Sequence, residues 1–270
     1  MKTTLAPVRS AFTRADLLAL AASVALLAVL AATCAATSRT RSEAAVCLGN
    51  LRRIAQAMVL YAGENGGYVP HPSWGSDLTG PDNWAYATRN DGRLPDVPNI
   101  VPLSAAGRAD DSSQAGVQRR FQRLGQLWPL LRDERVFRCP SDNARTPLAR
   151  KRYLDRPQKL TSYCMNGAVI SYGQLSASRT YPLSSFLGDA IAFWESDEAD
   201  PFQFNDAGAY PLDGVSRRHF GGSHVGRFDG GAEFWSDRQF RKEISSLDGQ
   251  GKPSRQPNRL WCNPGTPNGR

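Results

Sequence analysis

The sequence predicts an α+β fold in which a long N-terminal helix, apolar in its first half and amphipathic in its second, packs on a small antiparallel sheet. Three observations predict it: a near-continuous apolar stretch over residues 17–36, a helical stripe of apolar residues over 47–61, and short strand-like runs with glycine turns towards the C-terminus. With 270 residues and 41% hydrophobic content, the chain can bury one sizeable core, with room for a long excursion but not for two large domains.

The stretch LLALAASVALLAVLAATCAA over 17–36 interrupts its apolar run only at Ser23, Thr33 and Cys34. About 20 helical residues at a rise of ~1.5 Å each span the ~30 Å hydrocarbon core of a bilayer, and a helix satisfies its own backbone there. Lys2, Arg9 and Arg14 precede it against a single acid, Asp16, which predicts a cytoplasmic N-terminus and an external remainder, a bias softened by Arg39 and Arg41 on the far side. Two alternatives use the same stretch. One is a secretory signal peptide cut after the small residues at 33–36. The other is a lipoprotein acylated at Cys34, for which Ala31 and Thr33 are poor flanking residues.

Past the membrane segment, Cys47, Leu51, Ile54, Met58 and Tyr61 recur at helical spacing, while Asn50, Arg52, Arg53 and Gln56 lie off that stripe. Gly63-Glu64-Asn65-Gly66-Gly67 then supplies a helix stop; it lacks the acidic spacing of a calcium loop. From His71 to about Arg120 the chain is rich in Gly, Pro, Asp, Ser and Asn, with Trp74, Trp84 and Tyr86 as its large aromatic residues. These aromatics either stack on a ligand or pin the excursion to the domain, and the second is favoured.

The net charge of +8 is spread from Arg9 to Arg270 without a basic run, so no nucleic-acid partner is expected; anionic lipid or acidic glycan uses such a surface equally well. Cys34 falls within the membrane. Cys47, Cys139, Cys164 and Cys262 are candidate disulfide cysteines in an exported domain, with three connectivities open, and the absence of a C-x-x-C pair disfavours a zinc ribbon or thioredoxin-type site. Cys139-Pro140 is a candidate nucleophile, but no neighbour in sequence reads as its activating base, so a structural thiol is preferred.

Phe12-Thr13-Arg14-Ala15-Asp16-Leu17-Leu18 resembles the F-T-L-I-E-L-L start of type IV pilins and type II secretion pseudopilins. That resemblance implies removal of a short leader before Phe12 by a prepilin peptidase, methylation of Phe12, and assembly in which the acid at Asp16 pairs with a neighbouring subunit's N-terminus. Ala11 stands where the leader usually ends in Gly, and Asp16 where Glu is usual. CLGNLRRIAQAMVLYAGENGGYVP over 47–70 is similar to a C-L-S-N-L-R-Q-I-G signature of pseudopilin-like proteins. Val136-Phe137-Arg138-Cys139-Pro140-Ser141-Asp142, the segment Ser162-Tyr163-Cys164-Met165-Asn166-Gly167 and the run around Gly188-Asp189-Ala190 resemble further segments of that group. His219, with Asp229-Gly230 after nine residues, matches its H-x9-D-G motif, whose role the resemblance leaves open.

Locally, 224–228 and 232–235 are strand-like runs joined by Asp229-Gly230-Gly231, so a hairpin explains the motif. The functional alternative groups His219, His224, Asp229 and Glu233 as metal ligands or as an acid and base; strand alternation separates Asp229 from the histidines, and no metal or other cofactor is expected. The predicted organisation is a basic leader at 1–11, a transmembrane helix at 12–36, its amphipathic continuation at 37–64, a loop-rich excursion at 65–123, a sheet domain at 124–240 and a flexible tail at 241–270, with Trp261-Cys262 as the point where that tail docks.

The expected role is that of a non-catalytic, pseudopilin-like structural subunit of the bacterial inner membrane, with its C-terminal domain in the periplasm or at the cell surface. The bilayer, other pilin-like subunits and a prepilin peptidase are its expected partners. An anchored module binding a glycan or an envelope protein is the alternative, and a metal-dependent hydrolase a remote one, because three histidines and no G-x-S-x-G, H-E-x-x-H or phosphate loop offer little machinery.

Overall fold

The computed structural model describes residues 13–72, 82–88, 114–143, 146–176, 179–245, 257–267 and 269. The leader and its cleavage position at Ala11 and Phe12, Trp74 and much of the excursion lie outside these residues. The chain divides into two compact units, Met1–Ser42 and Glu43–Arg270.

Helix α1 runs from Arg14 to Glu64. Thr13 and Asp16 close its N-terminus reciprocally: the Thr13 hydroxyl lies 3.2 Å from the Asp16 amide, and the Asp16 carboxylate accepts from the Thr13 amide at 2.8 Å. The apolar segment meets the length and hydropathy of a membrane span, with its leucines outward and exposed. In the second unit, Cys47, Leu51, Ile54 and Met58 are fully buried, as the stripe predicts. Asn50 departs from the expected polar face: it is buried and donates to the Arg135 and Arg138 carbonyls at 3.2 and 3.0 Å, tying the helix to the segment before Cys139. The helix ends as read, with Gly66 and Gly67 at φ 65° and 91° and the Gly67 amide returning to the Ala62 carbonyl.

Strands β1 (Tyr163–Asn166), β2 (Ile191–Glu195), β3 (Gly208–Ala209), β4 (Gly222–Arg227) and β5 (Ala232–Ser236) form one sheet in the order β3-β1-β2-β4-β5. The pairings of β1 with β2, β2 with β4 and β4 with β5 are antiparallel; the expected antiparallel sheet gains one parallel edge, β1 with the two-residue β3. The hairpin of β4 and β5 turns at Gly230, with φ 84°.

One sheet face carries Met165 and Phe193 against α1, and Gly226 lets the helix come close: a Cβ there would stand 3.5 Å from Ala55 and from the Leu51 carbonyl. The opposite face carries Cys164, Trp194, Val225 and Trp235 in a second apolar cluster with Phe240 of helix α2 (Asp237–Ile244) and Leu260. A bulge between Ile191 and Phe193 interrupts the two-residue alternation, so Ile191 and Trp194 share the second face and Glu195 turns back towards α1.

One expectation is met, and another needs correction in part. Trp84 and Tyr86 are fully buried, Trp84 stacking on Phe137 and donating from Nε1 to the Ala207 carbonyl at 2.9 Å, so they pin the excursion as the favoured reading has it. The tail begins later than position 241, because α2 continues to Ile244, and it docks as expected at Trp261 and Cys262, which are buried beside Leu260, with the Arg259 carbonyl accepting from the Ile191 amide at 2.7 Å.

Candidate buried polar site

Five side chains from four parts of the chain meet beneath α1: Cys47 on the helix, Cys139 in the Cys-Pro turn, Glu195 at the end of β2, His219 and His224. None is more than 5% exposed. His219 is held by a tight two-residue turn. Its amide and carbonyl bond both ways with Gly222 at 3.1 and 2.8 Å, while Phe220 and Gly221 take φ 51° and 75°. That turn folds the two imidazoles to 4.7 Å between centroids.

Glu195 is the centre of the group. Its Oε2 accepts from the His224 amide at 2.9 Å and the Ser223 hydroxyl at 3.1 Å, and its Oε1 lies 3.2 Å from His219 Nε2 and 3.9 Å from Arg218 Nε. Cys139 Sγ stands 3.1 Å from the same His219 nitrogen, and Tyr163 donates to Cys47 Sγ at 3.3 Å. Burial alone would raise the Glu195 carboxyl, but His219, His224 and Arg218 outweigh it and hold it well below the usual range. Burial likewise opposes charging of His219, yet its contacts with Cys139 and Glu195 raise it to about 9; burial opposes ionisation of Cys139, yet Cys47 and His219 bring it down to about 7. Cys47, dominated by burial, is pushed up.

A second buried network supports the first. Asp142 accepts from both terminal nitrogens of Arg156 at 2.8 and 2.9 Å and from the Ser162 hydroxyl at 2.7 Å, and lies 3.5 Å from Arg218. The Cys139 amide in turn donates to the Ser162 hydroxyl at 3.1 Å.

The H-x9-D-G motif spans strand β4. His219 enters the buried site at one end; Asp229 sits at the other, in the exposed turn, accepting from the Gly231 amide at 2.8 Å and pairing with Arg227 at 2.9 Å. Glu233 pairs with Arg259. Neither acid joins the histidines, so the functional quartet read from sequence splits, and its two histidines find Glu195 and Cys47 instead. All five cysteines are free thiols here. Cys47 interacts with Cys139, whereas Cys164 lies 3.5 Å from the Trp194 carbonyl and Cys262 is 3.6 Å from the Asn166 side-chain Nδ2.

The base that sequence neighbours did not supply for Cys139 is His219, eighty residues on. The arrangement nevertheless lacks the parts of a nucleophilic site: Glu195 faces the same imidazole nitrogen as the thiol instead of orienting the ring from Nδ1, and the thiol is 2% exposed. Sequence reasoning did not single out Glu195, Arg218 or Arg156; the available signal was a lone acid closing the apolar run Ile191–Glu195. No family model, curated protein or solved structure matches the chain.

Proposed function

We propose that this protein is a bacterial pilin-like subunit, held in the inner membrane by its N-terminal helix with the α+β domain outside the cytoplasm, and acting by assembly rather than by catalysis. The supporting observation is α1 itself: one helix of 51 residues joins an exposed apolar segment of membrane-spanning length to a segment whose stripe is the spine of the domain core. The resemblance around Phe12 and Asp16 adds the mode of assembly, by lateral packing of apolar helix halves with one carboxylate paired to a neighbour's N-terminus.

Because Asp16 also closes the helix N-terminus, Asp16→Asn is the discriminating change: it keeps an acceptor for the Thr13 amide and removes the charge. The full chain is co-expressed with a prepilin peptidase, and intact mass and sedimentable fibres are measured. A chain beginning at methylated Phe12, assembling as wild type but not as Asp16→Asn, is the expected result. An unprocessed chain that stays a membrane monomer would replace this reading with an anchored binding module.

A further inference from the structure

We propose that Cys47, Glu195, His219 and His224 bind one divalent transition-metal ion, by its donor chemistry Zn²⁺, as a structural clamp between α1 and the sheet. Their ligand atoms all lie within 4.8 Å of one another in a fully buried pocket. Zinc bonds of ~2.0–2.3 Å in a tetrahedron bring donors to about 3.3–3.8 Å apart, so closing around the ion needs side-chain shifts of about 1 Å.

A second observation points to a ligand. His219 Nδ1 and His224 Nδ1 have no hydrogen-bond partner, although both residues are at most 5% exposed, and Glu195 Oε1 has no well-aligned donor beyond the His219 Nε2 that stands 3.2 Å away. Buried polar atoms are rarely left so, because each forfeits its hydration without return. The two orphan imidazole nitrogens are accounted for together by an ion that takes Nδ1 of each histidine with a Glu195 carboxylate oxygen.

The charges agree. Around the four ligands, Arg156 and Arg218 are offset by Asp142 and Glu198 through close ion pairs. With neutral imidazoles, one carboxylate and one thiolate contribute two negative charges, which a divalent ion cancels. Sulfur and imidazole donors select zinc over magnesium or calcium, and a pocket without an open side fits a structural rather than a catalytic ion. The consequence is mechanical: Cys47 is the only one of these four ligands on α1, so the ion joins the helix to the sheet, and its binding free energy becomes folding free energy. Cys139, on His219, is the thiol left over.

The test uses the full chain extracted in detergent, purified by a tag without histidines and in buffers without chelator. Elemental analysis is expected to find about one zinc per chain, falling at least tenfold in Cys47→Ser and in His224→Ala. Because these variants could fail to fold, the wild type is also exchanged with Co²⁺. A tetrahedral spectrum with a sulfur-to-cobalt charge-transfer band is expected, kept in Cys139→Ser and lost in Cys47→Ser. Metal-free protein that takes up no Co²⁺ after reduction, a Cys47–Cys139 disulfide in unreduced peptide maps, or a band that follows Cys139 instead of Cys47 would each overturn the proposal.

Discussion

Replacing Asp142 by Asn changes little in shape and much in charge. The carboxylate receives both prongs of the Arg156 fork and the Ser162 hydroxyl, with Arg218 at 3.5 Å, and the side chains of Asp142, Arg156 and Arg218 are 7%, 4% and 6% exposed. An amide keeps one acceptor and turns its NH₂ towards a guanidinium donor, so Arg156 loses its counter-charge where water cannot replace it, while Arg218 keeps Glu198 at 2.9 Å. Removing one partner of a buried pair costs about 3–5 kcal/mol. For a domain of this size each kcal/mol moves Tm by ~2–4 °C, so Asp142→Asn is expected to melt roughly 6–20 °C lower.

The assay is thermal and urea unfolding of the detergent-solubilised chain, with Asp155→Asn as control. Asp155 pairs with Lys151 at 2.6 Å on an exposed surface, where such a pair is worth about 0.5 kcal/mol or less. The pH dependence carries a sign. Burial would raise the Asp142 carboxyl, but Arg218, Arg156 and Ser162 hold it far below the ordinary range. Its contribution is therefore complete above the unfolded pKa of ~3.9 and is lost progressively as pH falls below that value towards the depressed folded one. The gap between wild type and Asp142→Asn should be flat above pH ~5 and narrow in acid. A loss under about 1 kcal/mol, or a gap that widens in acid, would refute the assignment of this network as a charge-balanced support.

Other substitutions test other parts of the structure by the same unfolding measurement. Leu51→Ala, at a fully buried position of the α1 stripe, should cost about 2–5 kcal/mol, against under about 0.5 for Leu60→Ala on the exposed side of the same helix. Gly222→Ala places a Cβ 2.2 Å from the Trp235 carbonyl oxygen, a backbone atom of the paired strand; a large loss of stability is expected, and a neutral result would contradict the close β4–β5 pairing. Phe220 is exposed at φ 51° in the turn that presents His219, a conformation that costs a bulky residue about 1–2 kcal/mol, so Phe220→Asn should raise Tm; a lower Tm would show that the aromatic ring contributes more than its backbone strain removes.

Much of the helix was legible because its signals are local. Side chains three and four apart share a face whatever the rest of the chain does, so Cys47, Leu51, Ile54 and Met58 named the buried stripe, and Gly66 and Gly67 its end. The hairpin was legible for the same reason, since a turn through Gly230 joins neighbours in sequence. Asn50 was misassigned because its polarity says nothing of the Arg135 and Arg138 carbonyls that wait for it far along the chain. For Trp84 the sequence favoured a pin but could not name what it is pinned to, since its Nε1 donates to the Ala207 carbonyl more than a hundred residues on.

What the sequence determined by itself was therefore the class: a helix with one apolar and one amphipathic half on a small sheet, each element declared by periodicity and turn chemistry within a few residues. What only the tertiary structure decided was the site. Cys47, Cys139, Glu195 and His219 come from a helix, a turn, a strand end and a tight turn, separated by tens of residues, and no spacing rule relates them. The bulge after Ile191, which turns Glu195 towards α1, and the turn at Phe220-Gly221, which folds His219 back onto His224, are backbone events set by packing on both sheet faces. Local patterns specify elements because their energetics are local; a buried polar cluster is specified by the closure of the core around it, which no segment contains.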